Sequence, residues 1–118
     1  MRDNVIFHNP GCSKCRTTLA LLQEHGVDVT VVEYLQTPPT PDELRILCDK
    51  LGVSAVGIIR KKESKFSELG LSVEDDRSED EWFRILSENP VLIERPIVVV
   101  KGRAVLGRPP ENVLSLLS

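Results

Sequence analysis

Hydrophobic and polar positions along the chain separate into two periodicities. Residues 4–8 (NVIFH) form a short apolar run that predicts a strand, followed by the turn-like Asn9-Pro10-Gly11. Behind that turn Cys15, Leu19 and Leu22 fall at i, i+4 and i+7, a helical stripe that Gly26 ends. Residues 29–34 (VTVVEY) are rich in β-branched side chains and predict a second strand. Strand, helix and strand within about 30 residues predict a βαβ unit, with parallel strands joined right-handedly.

The middle of the chain is helical. After Thr37-Pro38-Pro39, the run Thr40-Pro41-Asp42-Glu43 is a helix start: Thr40 caps, Pro41 takes the first helical position and Glu43 completes a capping box. Leu44, Leu47, Cys48 and Leu51 form its apolar stripe, which stops before Gly52. Ser54 is placed to cap a short helix over 55–60. Residues 61–77 are mixed and polar and predict a short helix within loops. Ser78-Glu79-Asp80-Glu81 predicts a second capping box, with Trp82, Ile85 and Leu86 on one face of the helix behind it and Asn89-Pro90 as its end.

Two further strands and a helix close the chain. Pro96 precedes residues 97–101 (IVVVK), a buried strand; Gly102-Arg103 is expected as a tight turn and 104–106 as the returning strand. Pro109-Pro110 opens a last helix with Val113, Leu116 and Leu117 inward. The order β-α-β, helical insertion, β-β-α predicts an α/β protein of thioredoxin-like fold, a single mixed sheet flanked by helices. With no repeat, long linker or low-complexity segment, residues 1–118 are expected to form one domain.

Composition narrows the setting. The chain has 118 residues, 41% hydrophobic and 28% charged, an ordinary balance for a folded domain. Its apolar runs are far shorter than the ~20 residues of a membrane span. The opening MRDNVIFHN reads as a strand start rather than a signal peptide, so a cytoplasmic location is expected. Fifteen basic against eighteen acidic residues give a net charge of −3, which argues against general nucleic-acid binding.

The three cysteines, Cys12, Cys15 and Cys48, do not form the even set of a secreted disulfide framework. The segment from His8 to Arg16 (HNPGCSKCR) carries the chemistry. A thiol attacks as thiolate, and a free cysteine ionises only near pH ~8.5. At a helix start the unpaired N–H groups and the positive dipole end favour the charged sulfur. Lys14, Arg16 and His8 are candidates for further positive charge. The same geometry binds anions, so one segment offers both a nucleophile and an oxyanion cradle.

Blander readings of these cysteines compete. The C-x-x-C pair resembles half a zinc site, but no second pair follows and His8 with Cys48 has no recognised ligand spacing, so no metal is expected. Cys48 lies on an apolar stripe and is expected to pack as a small hydrophobe. Cys15 is either a resolving thiol or a core residue, since helix phase does not separate the two. Arg60, Arg95 and Arg108 flank apolar or proline turns, and an arginine fork suits adjacent oxyanion oxygens. Spacing alone does not gather them.

The stretches HNPGCSKCRTTLALL, EYLQTPPTPDEL, IIRKKE, FSELGL, NPVLIERPIVV and LGRPPE resemble the ArsC-type, glutaredoxin-coupled arsenate reductases, in order and from residue 5 almost to the end. The resemblance implies that Cys12 attacks arsenate while Arg60, Arg95 and Arg108 hold the oxyanion. It implies that His8 helps lower the cysteine's pKa, that Asn9 and Gly11 shape the anion cradle, and that Pro96 is a cis-proline. Glutathione would serve as co-substrate and glutaredoxin would clear the mixed disulfide, with no bound cofactor and a monomeric protein expected.

One position departs from the best-understood members, which carry serine where this chain has Cys15. That departure brings thioredoxin into view as a reductant. It also brings in a second resemblance, to the Spx regulators, which share a C-x-x-C and the Arg-Pro-Ile segment and bind RNA polymerase. The form Leu106-Gly107-Arg108-Pro109-Pro110-Glu111 follows the reductases, so the enzyme is the leading expectation and a redox-sensing regulator the alternative.

Overall fold

Strand β1 (Val5–His8) is buried along its whole length. It pairs in parallel with β2 (Thr30–Glu33), Val5 opposite Thr30, and antiparallel with β3 (Ile97–Val100), Val5 opposite Val99. Strand β4 (Arg103–Leu106) returns beside β3, giving a four-stranded mixed sheet in the order β2-β1-β3-β4. The computed structural model describes residues 4–117. Contacts divide them into two units, one of residues 4–37 and 95–117, the other of residues 38–94.

The first unit is the thioredoxin-like one. Helix α1 (Ser13–Glu24) and a 3-10 helix over Pro110–Leu116 cover one face of the sheet. Side chains alternate along a strand, so Ile6 from β1 and Val98 and Val100 from β3 meet Leu22, Val113 and Leu116 in a closed apolar cluster. By the same alternation His8 lies on the Ile6 face, the face that α1 covers. The helix ends as expected, with Gly26 left-handed at φ 70°. Leu117 is only partly buried, beside the fully packed Val113 and Leu116.

The hairpin between β3 and β4 turns one residue earlier than expected. Arg103 pairs with Val100 as a strand residue, and the turn is Lys101-Gly102, with φ 53° and 80°. Two positive φ values are what a two-residue hairpin turn of matching twist requires. Lys101 takes the strained place while its N–H donates to Asn4 Oδ1 at 3.1 Å.

In the second unit α2 (Pro41–Leu51) begins with the full capping box. Glu43 N–H donates to Thr40 Oγ1 at 3.1 Å, and Thr40 N–H donates to the Glu43 carboxylate at 2.9 Å. Helix α3 is short (Ser64–Glu68), and α4 (Glu79–Glu88) packs on α2. Ser78 caps α4 through Glu81 N–H, but the Glu81 carboxylate lies 3.8 Å from Arg77 rather than closing a box. The buried face of α4 is Trp82, Phe83 and Leu86, so Phe83 takes the place expected for Ile85.

The segment after Ser54 is a 3-10 turn of four residues, Ala55–Ile58, shorter than the expected 55–60. Ile59 is extended and bridges Ile93, which ends the turn; Ser54 is the N-cap without a side-chain hydrogen bond, and Ala55 N–H donates to Glu79. No helix among the described residues is long and apolar enough to cross a membrane.

Candidate active site

Cys12 is the N-cap of α1, with extended φ and ψ of −99° and 122°. The turn before it is fixed by one side chain. Asn9 Oδ1 accepts from Gly11 N–H at 3.0 Å, and Asn9 O accepts from Cys12 N–H at 2.9 Å. Asn9 and Gly11 therefore shape the loop, but the N–H groups of Gly11 and Cys12 are spent inside the turn. Any anion cradle shaped by this loop therefore draws nothing from those two N–H groups, because a turn this tight satisfies its own donors. The Cys12 side chain makes no capping hydrogen bond, and the N–H groups of Lys14 and Cys15 beyond the cap nonetheless favour its thiolate.

Those donors decide the state of the thiol. Burial raises the Cys12 pKa, but the Cys15 N–H, the Cys15 thiol, the Arg95 charge and the Lys14 N–H together carry it below the ordinary value. The helix start and one arginine thus outweigh desolvation. Arg16, expected to add charge here, donates instead to Pro10 O at 2.8 Å and braces the loop.

Cys15 is completely buried while Cys12 keeps 8% of its surface. Burial pushes Cys15 up to about 11; its hydrogen bond to Cys12 and the Cys12 charge act in the same direction, against the Asn9 N–H and Arg95. It is therefore packed in the core and electrostatically tied to the other cysteine. Cys48 is buried on the α2 stripe, where burial chiefly holds it up to about 11.

His8 is buried, and its Nδ1 has no hydrogen-bond partner. Burial lowers its pKa, Glu33 in the paired strand raises it and Arg16 lowers it, with a net lowering. This direction disfavours the charged imidazole.

Arg95 and Arg108 come together in the first unit. Arg108 Nη1 donates to Arg95 O at 3.3 Å, and the Arg95–Pro96 peptide is cis. The Arg108–Pro109 peptide is cis too, which the Pro-Pro pair did not announce. Arg60 belongs to the second unit, where its guanidinium meets Glu63 at 3.3 Å, Glu94 at 4.0 Å and Val91 O at 3.2 Å.

Two residues around this site escaped the sequence reading. Gly107 N–H donates to Pro96 O at 2.9 Å, and a β-carbon on Gly107 would lie 2.8 Å from Pro96 Cγ. The buried Thr18 lies on the other side, its hydroxyl 2.7 Å from Lys14 O and 3.4 Å from Gly107 O. The helix that starts at Cys12 thus touches the corner carrying Arg95 and Arg108 through a glycine. Only the small size of Gly107 beside Arg108 signals this in the sequence. Among the described residues no three potential metal ligands of the His, Cys, Asp or Glu type are gathered.

The model of the ArsC family matches residues 7–116. The chain is 46% identical over 118 residues to an arsenate reductase of Neisseria meningitidis serogroup A, covering 99% of this chain and all of that one. It is 48% identical over 113 residues to the uncharacterized protein YfgD of Escherichia coli, covering 95% of this chain and 94% of that one. Among solved structures, an arsenate reductase from Vibrio cholerae superposes with a TM-score of 0.90 at 47% identity, covering 96% of each chain.

Proposed function

The chain belongs to the ArsC family, and from that premise we propose that it reduces arsenate to arsenite with Cys12 as the nucleophile. The observation that carries the reading is Cys12 standing as the N-cap of α1, where the helix start and the Arg95 charge favour its thiolate. Relatives named as arsenate reductases support the choice of oxyanion.

In this reading the Cys12 thiolate attacks arsenic, an arsenate oxygen leaves as water after protonation, and a sulfur–arsenic bond forms. Arg95 and Arg108 offset the negative charge on the remaining oxygens. Arg60 joins them through the sequence resemblance alone, and an oxyanion would have to displace its carboxylates. Glutathione then attacks the Cys12 sulfur. A disulfide forms, the sulfur–arsenic bond breaks with its electron pair left on arsenic, and arsenite departs. The resemblance makes glutaredoxin the reductant that finally returns Cys12 to the thiol; no bound cofactor is needed, and the protein is read as a monomer.

The test is arsenate-dependent NADPH oxidation coupled through glutathione, glutaredoxin and glutathione reductase. Wild type turns over and Cys12→Ser does not; equal activity in the two would remove Cys12 as the nucleophile.

A further inference from the structure

Cys12 and Cys15 occupy the cap and the third position of the same helix. Residues three apart on a helix are neighbours, which sets the Cys15 side chain beside Cys12, and each cysteine shifts the other's pKa. Their exposures differ. A molecule arriving from solvent meets Cys12, while Cys15, at 0% exposure, is reached only from within the protein.

We propose that Cys15 is the resolving thiol of this site: it attacks Cys12 once that sulfur is held in a mixed disulfide, and the resulting Cys12–Cys15 bond is reduced by a protein dithiol. This rests on the reading of Cys12 as the nucleophile and gives the same site its class of reductant. In the step, the bond between Cys12 and the glutathione sulfur breaks and the Cys12–Cys15 bond forms. Glutathione leaves with the electron pair of the broken bond and takes up the proton that Cys15 gives up. No net oxidation occurs, because the two electrons passed to arsenic when the mixed disulfide formed. The dithiol then becomes a disulfide and returns both cysteines to thiols.

The surroundings of Cys15 give the order of events a physical cause. Beyond burial, what holds its proton is the hydrogen bond to Cys12 and the negative charge there. A Cys12 sulfur in a disulfide carries no charge and accepts weakly. The Asn9 N–H and Arg95 remain, and both favour the Cys15 thiolate. Cys15 is therefore quiet while Cys12 is a thiolate and becomes easier to ionise when Cys12 is oxidised. Displacement by a tethered neighbour also has the advantage of proximity over a second thiol from solution.

The experiment needs no arsenate, so its outcome is independent of the oxyanion. Reduced wild type and Cys15→Ser are treated with oxidised glutathione and followed by intact mass and peptide mapping. Wild type is expected to release its glutathione and lose two hydrogens, with the disulfide mapped to Cys12 and Cys15; Cys15→Ser keeps one glutathione on Cys12. Thioredoxin, its reductase and NADPH then restore the wild-type thiols. A lasting glutathione on wild-type Cys12, a disulfide mapped to Cys48, or a Cys12–Cys15 bond that thioredoxin leaves intact would overturn the proposal.

Discussion

A β-carbon on Gly107 would lie 2.7 Å from the Thr18 hydroxyl oxygen, inside any contact a real side chain makes. Gly107 is buried, and its N–H holds Pro96 O, so neither neighbour has an easy direction of retreat. Gly107→Ala is expected to cost about 1–3 kcal/mol, the usual range for overpacking a filled site. Urea unfolding measures it. Thr18→Ala in the same background is expected to recover part of the loss, because Pro96 Cγ still blocks at 2.8 Å. Additive effects in the double variant would show that the two residues do not share this contact.

Arg95→Ala and Arg108→Ala are each expected to raise KM for arsenate roughly ten- to a hundred-fold, as loss of a charge-assisted hydrogen bond worth about 1.5–3 kcal/mol implies. The two differ in a second readout. Arg95 acts on Cys12 electrostatically, whereas Arg108 is not among the groups that shift it. Arg95→Ala should therefore also move the thiol, and Arg108→Ala should leave it in place. Steady-state kinetics with unchanged KM in both variants would put the oxyanion elsewhere.

The pH dependence of Cys12 alkylation reports that second effect. The thiolate reacts, so the rate rises with pH through the Cys12 pKa. Because the fold holds that pKa below its ordinary value, the midpoint is expected at lower pH than for a free cysteine. Arg95 and the Cys15 thiol both lower it, so Arg95→Ala and Cys15→Ala, which removes the donor, each shift the midpoint upward. Iodoacetamide modification followed by mass spectrometry gives the profile. A downward shift in either variant would reverse the sign of the electrostatic account.

Thr40→Ala removes the side-chain half of the α2 capping box, at an expected cost of ~1 kcal/mol. The comparable Ser78→Ala also loses one accepted hydrogen bond at the start of α4. Thr40 is the better connected of the two, since Glu43 answers it while Glu81 faces Arg77. Chemical unfolding of both variants checks this, with Thr40→Ala expected to lose at least as much. Neither change is expected to move the alkylation profile of Cys12.

What the sequence makes legible here is what neighbours along the chain decide. The Thr40 box, the Gly26 stop and the placing of Cys12 at a helix start each depend on residues a few positions apart. Where distant residues intervene, the local pattern is incomplete. Ser54 makes no side-chain cap while Glu79 takes the Ala55 N–H, and Ile59 leaves the helical path to bridge Ile93. Phe83 rather than Ile85 completes the buried face of α4, because packing on α2 sets the phase of that helix.

The site divides in the same way. Cys12 and Cys15 are visible as a motif, but the inward use of the Gly11 and Cys12 N–H groups appears only in the folded turn. The lowering of the His8 pKa follows from burial that no sequence spacing conveys. Thr18 and Gly107 are 89 positions apart, and their contact belongs to the fold alone.

The most direct measurement of the central claim is a single turnover of arsenate by fully reduced protein with glutathione as the only added thiol, counting arsenite formed. Wild type is expected to yield arsenite in proportion to its Cys12 and to lose that yield when Cys12 is alkylated beforehand. No arsenite from folded, reduced wild type, or the same yield after alkylation of Cys12, would contradict the assignment.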